Sequence, residues 1–385
     1  MRIIFITWRN KRRMFEFSGG NTRTSFLYNL IKYVLKPTNI VEYNLDELET
    51  LTSRGVAGLA HLFNKSSPLM LTFLREVQFQ YVNCNKIISH VQSFGEDTVI
   101  VLDHIRSVIM ISKCLEDLLR YRLKFIHISH DYSGEFPYTT RMLSPLNKKA
   151  LNILSKIDPI TIVVSLRDKI LYEENAKLSK VIVFPNIYPP VNEAFKPIRF
   201  PISKNNDELK IVIVKPNIDK KYAENIIKII KMLQKYSEYS ITMEIITSLK
   251  NSYVNNIVNI NKETSEKVKI KISDNIPDRI EYIKHLSQNH LGLIELYGDR
   301  SSGSNVRKYD YAIASVVPAP YHLNVQGESL PHELAFLDIP DLISKIVQLT
   351  PNELHKYGIE NMIYAYQLYE KHLNNIINEL SKIKY

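Results

Sequence analysis

The sequence predicts two α/β domains in tandem, each a parallel sheet covered by helices on both faces. At 385 residues the chain is too long for one ordinary domain and comfortable for two. Short apolar runs of strand length alternate with stretches of helical spacing, the pattern of a sheet buried on both sides. A segment with two prolines and then a polar run, KPIRFPISKNNDE at 196–208, separates two such sets. The predicted organisation is therefore a domain over 1–195, a linker over 196–208, a domain over 209–350 and a helical segment over 351–385.

In chain order, Arg2 to Thr7 is an apolar strand and Asn21 to Val34 has helical spacing, through Phe26, Leu27, Leu30, Ile31 and Val34. The loop between them ends in Ser18-Gly19-Gly20-Asn21, and strand, glycine-containing loop and helix make the opening of a Rossmann-like unit. Glycines there allow a ligand close to the backbone, and the helix start supplies unpaired N–H donors. Leu45 to Lys86 reads as helical, with a partly basic amphipathic patch from Leu59 to Arg75. Strands follow at Thr98 to Leu102, closed by Asp103-His104, and at Lys124 to Ile128, closed by Ser129-His130-Asp131. A helix over Val108 to Tyr121 separates them. Ile160 to Val164 and Val181 to Phe184 complete the first set, with Ser165 placed as an N-cap.

The second set runs Leu209 to Val214, Ile241 to Ile246, Val268 to Ile272 and Leu291 to Leu296, with helices at Tyr222 to Lys235 and Ile280 to Gln288. Four small polar residues, Ser302, Gly303, Ser304 and Asn305, precede a helix predicted over Asn305 to Ala314. Such residues suit a helix start, where free donors and the positive dipole end attract anions. Leu342 to Leu349 and Asn352 to Lys384 are helical. In open α/β sheets ligands sit beyond the carboxyl ends of the strands, which draws attention to His104, His130, Lys215 and Lys220.

Composition narrows the class. Hydrophobic residues make 45% of the chain and charged ones 23%, which describes a protein that builds cores. Two cysteines, Cys84 and Cys114, form no disulfide framework, no Cys/His cluster has zinc spacing, and a reducing cytoplasm is expected. No apolar run reaches membrane-spanning length. The net charge is +10, and residues 1–195 hold 25 Lys and Arg against 18 Asp and Glu, so the first domain carries most of the excess. Positive charge suits anionic partners: nucleic acid, an anionic membrane surface or phosphorylated substrates. The cations are dispersed rather than striped and no nucleic-acid-binding motif is present, so no nucleic acid is expected.

The run RKYDYAIASVVPA, Arg307 to Ala319, resembles the K-[LF]-[FY]-E-Y-[MLA]-A-x-G-x-P-V-V-A signature of the GT-B glycosyltransferases of glycosyltransferase group 1, the family-4 type. The resemblance implies two Rossmann-like domains facing across a cleft, with the last helix crossing back to the first domain. It also implies transfer of a sugar, of hexose type, from a nucleotide-diphosphate sugar to an acceptor hydroxyl, with retention and without metal or other cofactor. On the donor side it assigns the Gly-Gly loop, Gly19 and Gly20, to the mouth of the cleft. Gly303, Ser304 and Asn305 fall to the diphosphate and Asp310 to the nucleotide ribose. Lys215 and Lys220 stand where the family has an Arg-x4-Lys pair that takes the leaving diphosphate. His130, in KFIHISHDY, is placed at the sugar and the reaction centre, with His104 on the acceptor side. Asp131, next to His130, and Arg23, in the first turn after Gly20 and so able to face the cleft, are taken as further acceptor-side residues; His127 is read as core.

The match departs from the family pattern at defined positions. Lys215 replaces an arginine, Ser315 and Ile187 replace glycines, and Ser302 stands eight residues before Asp310 where a first glutamate is common. Glu295 lies upstream of that register. The expected partners are a nucleotide sugar and a glycan, lipid-linked or protein acceptor, with peripheral contact to the inner membrane face through the basic first domain. A basic nucleic-acid-binding protein and a nucleotide-sugar-binding GT-B protein without turnover are the alternatives.

Overall fold

The computed structural model describes residues 1–8, 19–62, 74, 78, 81–130, 144–202, 204, 207–248, 251–264, 267–297, 306–322 and 328–384. Two compact units make up the chain. One comprises Met1–Pro185 with His372–Tyr385, the other Asn186–Lys371.

The first unit holds a six-stranded, wholly parallel sheet in the order β2-β1-β3-β4-β5-β6. Its strands are β1 (Arg2–Thr7), β2 (Asn39–Tyr43), β3 (Thr98–Asp103), β4 (Lys124–Ile128), β5 (Ile160–Val163) and β6 (Val181–Val183). β3 is buried at every position, as near-continuous Val, Ile and Leu require of a central strand covered on both faces. β2 escapes the sequence reading because it is an edge strand of only five residues whose side chains are mostly half-exposed.

Helices α1 (Gly19–Leu35), α2 (Leu45–Leu48), α3 (Leu51–Leu62), α4 (Cys84–Phe94), α5 (His104–Met110), α6 (Leu115–Leu119), α7 (Ser144–Ile157) and α8 (Leu166–Ala176) belong to this unit. Two helical expectations are corrected. Leu45 to Lys86 is not one helix: Asn44 and Glu47 form a capping box for α2, and the chain turns extended at Glu49, which bridges Val82. The helix expected over Val108 to Tyr121 instead starts at His104 and breaks into a 3₁₀ turn at Ile111–Lys113. Ser165 caps α8 as expected, accepting from the Asp168 N–H at 3.1 Å.

The second unit has a five-stranded parallel sheet, β11-β10-β7-β8-β9. The strands are β7 (Glu208–Val214), β8 (Ser240–Ile246), β9 (Val268–Ser273), β10 (Leu291–Ile294) and β11 (Val317–Pro320). Its helices are α9 (Lys220–Tyr236), α10 (Ser252–Thr264), α11 (Arg279–Leu286), α12 (Val306–Ile313) and α13 (Ile339–Val347). The apolar face of α9 (Tyr222, Ile226, Ile229, Ile230 and Leu233, all fully buried) packs into a core with Ile211, Ile213, Met243 and Ile245. The final helix, α14 (Pro351–Ser381), belongs to the second unit as far as Lys371 and to the first from His372. No helix among the described residues is long and apolar enough to cross a membrane.

Strand order reverses once in each sheet, between β1 and β3 in the first and between β7 and β10 in the second. In open α/β sheets ligands bind at such switch points, beyond the strand carboxyl ends.

Candidate functional site

In the first unit the carboxyl ends of β1, β3 and β4 bring together Thr7, Asp103, His104 and His130. Asp103 closes β3 and is fully buried. One of its carboxylate oxygens accepts from Thr24 Oγ1 at 2.9 Å and lies 2.8 Å from His130 Nε2, and the other accepts from Thr7 Oγ1 at 2.8 Å. A carboxylate that only accepts fixes the proton of a neutral His130 on Nε2, so the ring is held in one tautomer. His104 opens α5 with φ of +71°, a left-handed backbone that histidine tolerates better than most residues. Its Nδ1 accepts from the Arg106 N–H at 3.2 Å, and its ring lies 5.5 Å from that of His130 and 5.4 Å from that of Trp8.

Arg23 has a different place from the cleft-facing one that its position after Gly20 suggested. It is 1% exposed, and its guanidinium donates to the carbonyls of Ser129 (2.8 Å), Phe184 (2.8 Å) and Ile162 (3.1 Å). Those carbonyls end or follow neighbouring strands, so Arg23 ties the carboxyl edge of the sheet together instead of meeting a ligand. His127 is core, as its strand position predicts: it is fully buried against Tyr172, and burial pushes its pKa down to about 3. Gly19 and Gly20 are the first two residues of α1. Asp131, Gly303, Ser304, Asn305 and most of the patch from Leu59 to Arg75 lie outside the described residues.

In the second unit the switch point is charged. β7 ends at Val214, and Lys215 is the next residue. Its Nζ lies 2.7 Å from Oε2 of Glu295, the residue that follows β10, and 5.0 Å from the centre of the Tyr222 ring. The other Glu295 oxygen accepts from Arg307, whose Nη1 also donates to the Val214 carbonyl at 2.9 Å. Burial pushes the Glu295 carboxyl up, but Arg307 and Lys215 outweigh it and hold the group below its ordinary value. Glu295 has φ of +48°, a strained backbone for a residue with a Cβ.

Lys220, the first residue of α9, does not join this group. It is 75% exposed and its nearest carboxylate is Glu224, one turn along, at 4.0 Å. The Lys215 and Lys220 side chains are thus bound to different carboxylates. Asp310 lies on the buried face of α12 and pairs with Arg279, the first residue of α11, at 2.5 Å; the same guanidinium donates to the Tyr188 carbonyl at 2.6 Å. Burial alone would make Arg279 less basic, but Asp310 outweighs that and raises it.

Sequence reasoning did not assign roles to Arg279 or Arg307. Arg279 is 31 positions from its partner and nothing local marks it. Arg307 was legible, standing at the first position of the resembled signature. Asp103 was visible as a strand-closing acid, but its bond to His130, 27 positions on, needs the ends of β3 and β4 to lie side by side.

No protein-family model matches the sequence, and no curated protein matches it significantly. Solved structures do resemble it in fold. A structure described as trehalose-6-phosphate from E. coli bound with UDP-2-fluoro glucose superposes with a TM-score of 0.62 at 11% identity, covering 99% of each chain. An alpha,alpha-trehalose-phosphate synthase (UDP-forming) from Burkholderia xenovorans in complex with glucose-6-phosphate gives 0.55 at 11% identity, over 99% of this chain and 100% of that one. TarM gives 0.53 at 14% identity over 78% of this chain, which spans 58% of TarM's length. With two wholly parallel sheets, each with one switch point, and with likenesses that run end to end, the chain has the GT-B fold at very low sequence identity.

Proposed function

We propose that the protein is a glycosyltransferase that moves a sugar from a nucleotide-diphosphate sugar to an acceptor hydroxyl, with retention and without metal. The observation that carries the reading is the placement of Lys215 and Arg307 at the carboxyl edge of β7, on the second sheet's switch point. Cations fixed there can stabilise the charge that develops on a departing nucleotide diphosphate, the task a metal performs elsewhere. Support comes from the solved structures: one of similar fold holds UDP-2-fluoro glucose and another glucose-6-phosphate. On this reading the glycosyl–phosphate bond breaks with oxocarbenium character, the diphosphate leaves toward the cations, and the acceptor hydroxyl gives its proton to the leaving phosphate. His130 positions the sugar, and the acceptor is a glycan, a protein or a lipid-linked phosphate met at an anionic membrane surface.

The Asp103–His130 pair favours a second reading, inversion. A histidine whose Nε2 proton is held by a buried carboxylate can take an acceptor proton at Nδ1.

Both readings are tested together. Thermal-shift measurements with UDP-, GDP- and ADP-sugars compare the wild type with Lys215→Met and Asp310→Asn, the latter keeping the shape of the buried side chain. One donor is expected to raise the wild-type melting temperature and to lose most of that effect in Lys215→Met. Salt-sensitive retention of oligonucleotides with no shift from any donor would overturn the assignment in favour of nucleic-acid binding. With the donor known, NMR of the product's anomeric configuration decides between retention and inversion.

A further inference from the structure

We propose that Lys215 and Arg307 form one oxyanion-binding pair for the donor's diphosphate, and that in the free protein the Glu295 carboxylate occupies this pair and must be displaced for the donor to bind. The inference rests on the donor reading above, which places Lys215 and Arg307 at the switch point, and adds Glu295 to it as the group that must yield to the donor.

The geometry is that of one anion held by two cations. Glu295 offers one oxygen to each, Oε2 to Lys215 at 2.7 Å and Oε1 to Arg307, as a phosphoryl group offers two of its oxygens. The cations reach this point from separate elements, one from the end of β7 and one from the first turn of α12, so their convergence is a product of the fold. The three side chains are neither sealed nor free: 23% of Lys215, 27% of Arg307 and 18% of Glu295 is exposed, enough for a solute to reach the cations. Lys220, 75% exposed and facing Glu224, has no share in this arrangement.

Two physical arguments make the carboxylate a displaceable occupant. First, a diphosphate carries more negative charge than one carboxylate, and Coulomb attraction to the same two cations scales with that charge. Second, Glu295 is presented from a left-handed backbone, φ +48°, at the end of a strand. Strain of this kind recurs at ligand clamps and switch regions. Glu295 also keeps the two cations from repelling one another while the site is empty, which explains an acidic residue in a site for anions.

The test uses the full-length protein and isothermal titration with inorganic pyrophosphate and with UDP, GDP and ADP. Glu295→Gln removes the competing charge while keeping an acceptor for Lys215 and Arg307, and is expected to bind pyrophosphate about ten-fold more tightly than the wild type. Arg307→Gln is expected to weaken binding by about ten-fold or more, Lys220→Gln to change it less than about two-fold. Arg307→Gln leaves the Lys215–Glu295 bond in place, so it keeps the proposal open to refutation should Glu295→Gln fail to fold. Binding lost in Lys215→Met but unaltered in Arg307→Gln, or equal in Glu295→Gln and wild type, would overturn the proposal and leave the donor reading standing. Absence of binding of pyrophosphate and of every nucleoside diphosphate, in wild type and Glu295→Gln alike, would overturn both.

Discussion

At the scale of single residues, buried charge is used here in two ways that the sequence does not distinguish. Arg23, expected to meet a ligand, is spent on three backbone carbonyls, whereas Arg307, unassigned, stands at the solvent-reachable switch point. Both are arginines in the first turns of helices, and only the three-dimensional course of the strands decides what they face. Glu244, on β8, is a third case. Burial would push its carboxyl up, but hydrogen bonds from His285, Ser273 and Lys271 outweigh that and hold it at about 2, against an ordinary 4.5. Between these two values the unfolded chain takes up a proton that the folded one refuses, so stability supplied above pH 4.5 is lost as pH falls toward 2. With solvent screening allowed for, the loss is about 1–2 kcal/mol. Urea unfolding of wild type and Glu244→Gln across this range checks it: the wild-type curve should fall more steeply with acid, and parallel curves would refute the assignment.

At the scale of elements, the sequence was most informative where burial is two-sided. The strands β1, β3, β4, β7 and β8 were legible to within a residue or so because their runs are mostly apolar, as burial on both faces requires, and β9 because Val268, Ile270 and Ile272 alternate with polar residues at an edge. Elements held by tertiary contacts were less visible: the break at Glu49 follows from its bridge to Val82, 33 residues on, and the early start of α5 from the left-handed His104. Half the proposed site was legible by the same logic. Lys215 stands directly after an apolar strand, but its pairing with Glu295 needs β10 beside β7, which no local pattern announces. Gly358 shows how a contact between elements reverses a local preference. In the middle of α14, alanine in its place would gain about 1 kcal/mol of helix propensity. A Cβ there would lie 2.0 Å from the Ser315 carbonyl oxygen, at a backbone turn that cannot yield as a flexible side chain would. Gly358→Ala should therefore lose about 1–3 kcal/mol net, read as a lower urea midpoint for the second unit; an unchanged or higher midpoint would show that helix and turn are not in such contact.

At the scale of the whole molecule, α14 makes the two units dependent on one continuous element. The chain enters it in the second unit and leaves it in the first, where Leu373, Ile376, Leu380 and Ile383 are buried. His372 also lies within hydrogen-bonding distance of the Val183 carbonyl, and Lys124 donates to the carbonyl of Ile383. The four apolar side chains are each worth about 1.5–3 kcal/mol when fully buried, so roughly 6–12 kcal/mol in all as an upper bound. That matches the whole net stability of an ordinary domain, about 5–15 kcal/mol. A chain ending at Lys371 is accordingly expected to keep the fold of the second unit and lose that of the first. Limited proteolysis followed by mass spectrometry reads this directly: peptides from 1–185 should appear early while a fragment within 186–371 persists. Equal persistence of both would mean that the first sheet holds without residues 372–385. On the function proposed above, the first outcome would abolish transfer on truncation while the proposed pyrophosphate binding survives, since Lys215, Arg307 and Glu295 lie wholly within the second unit.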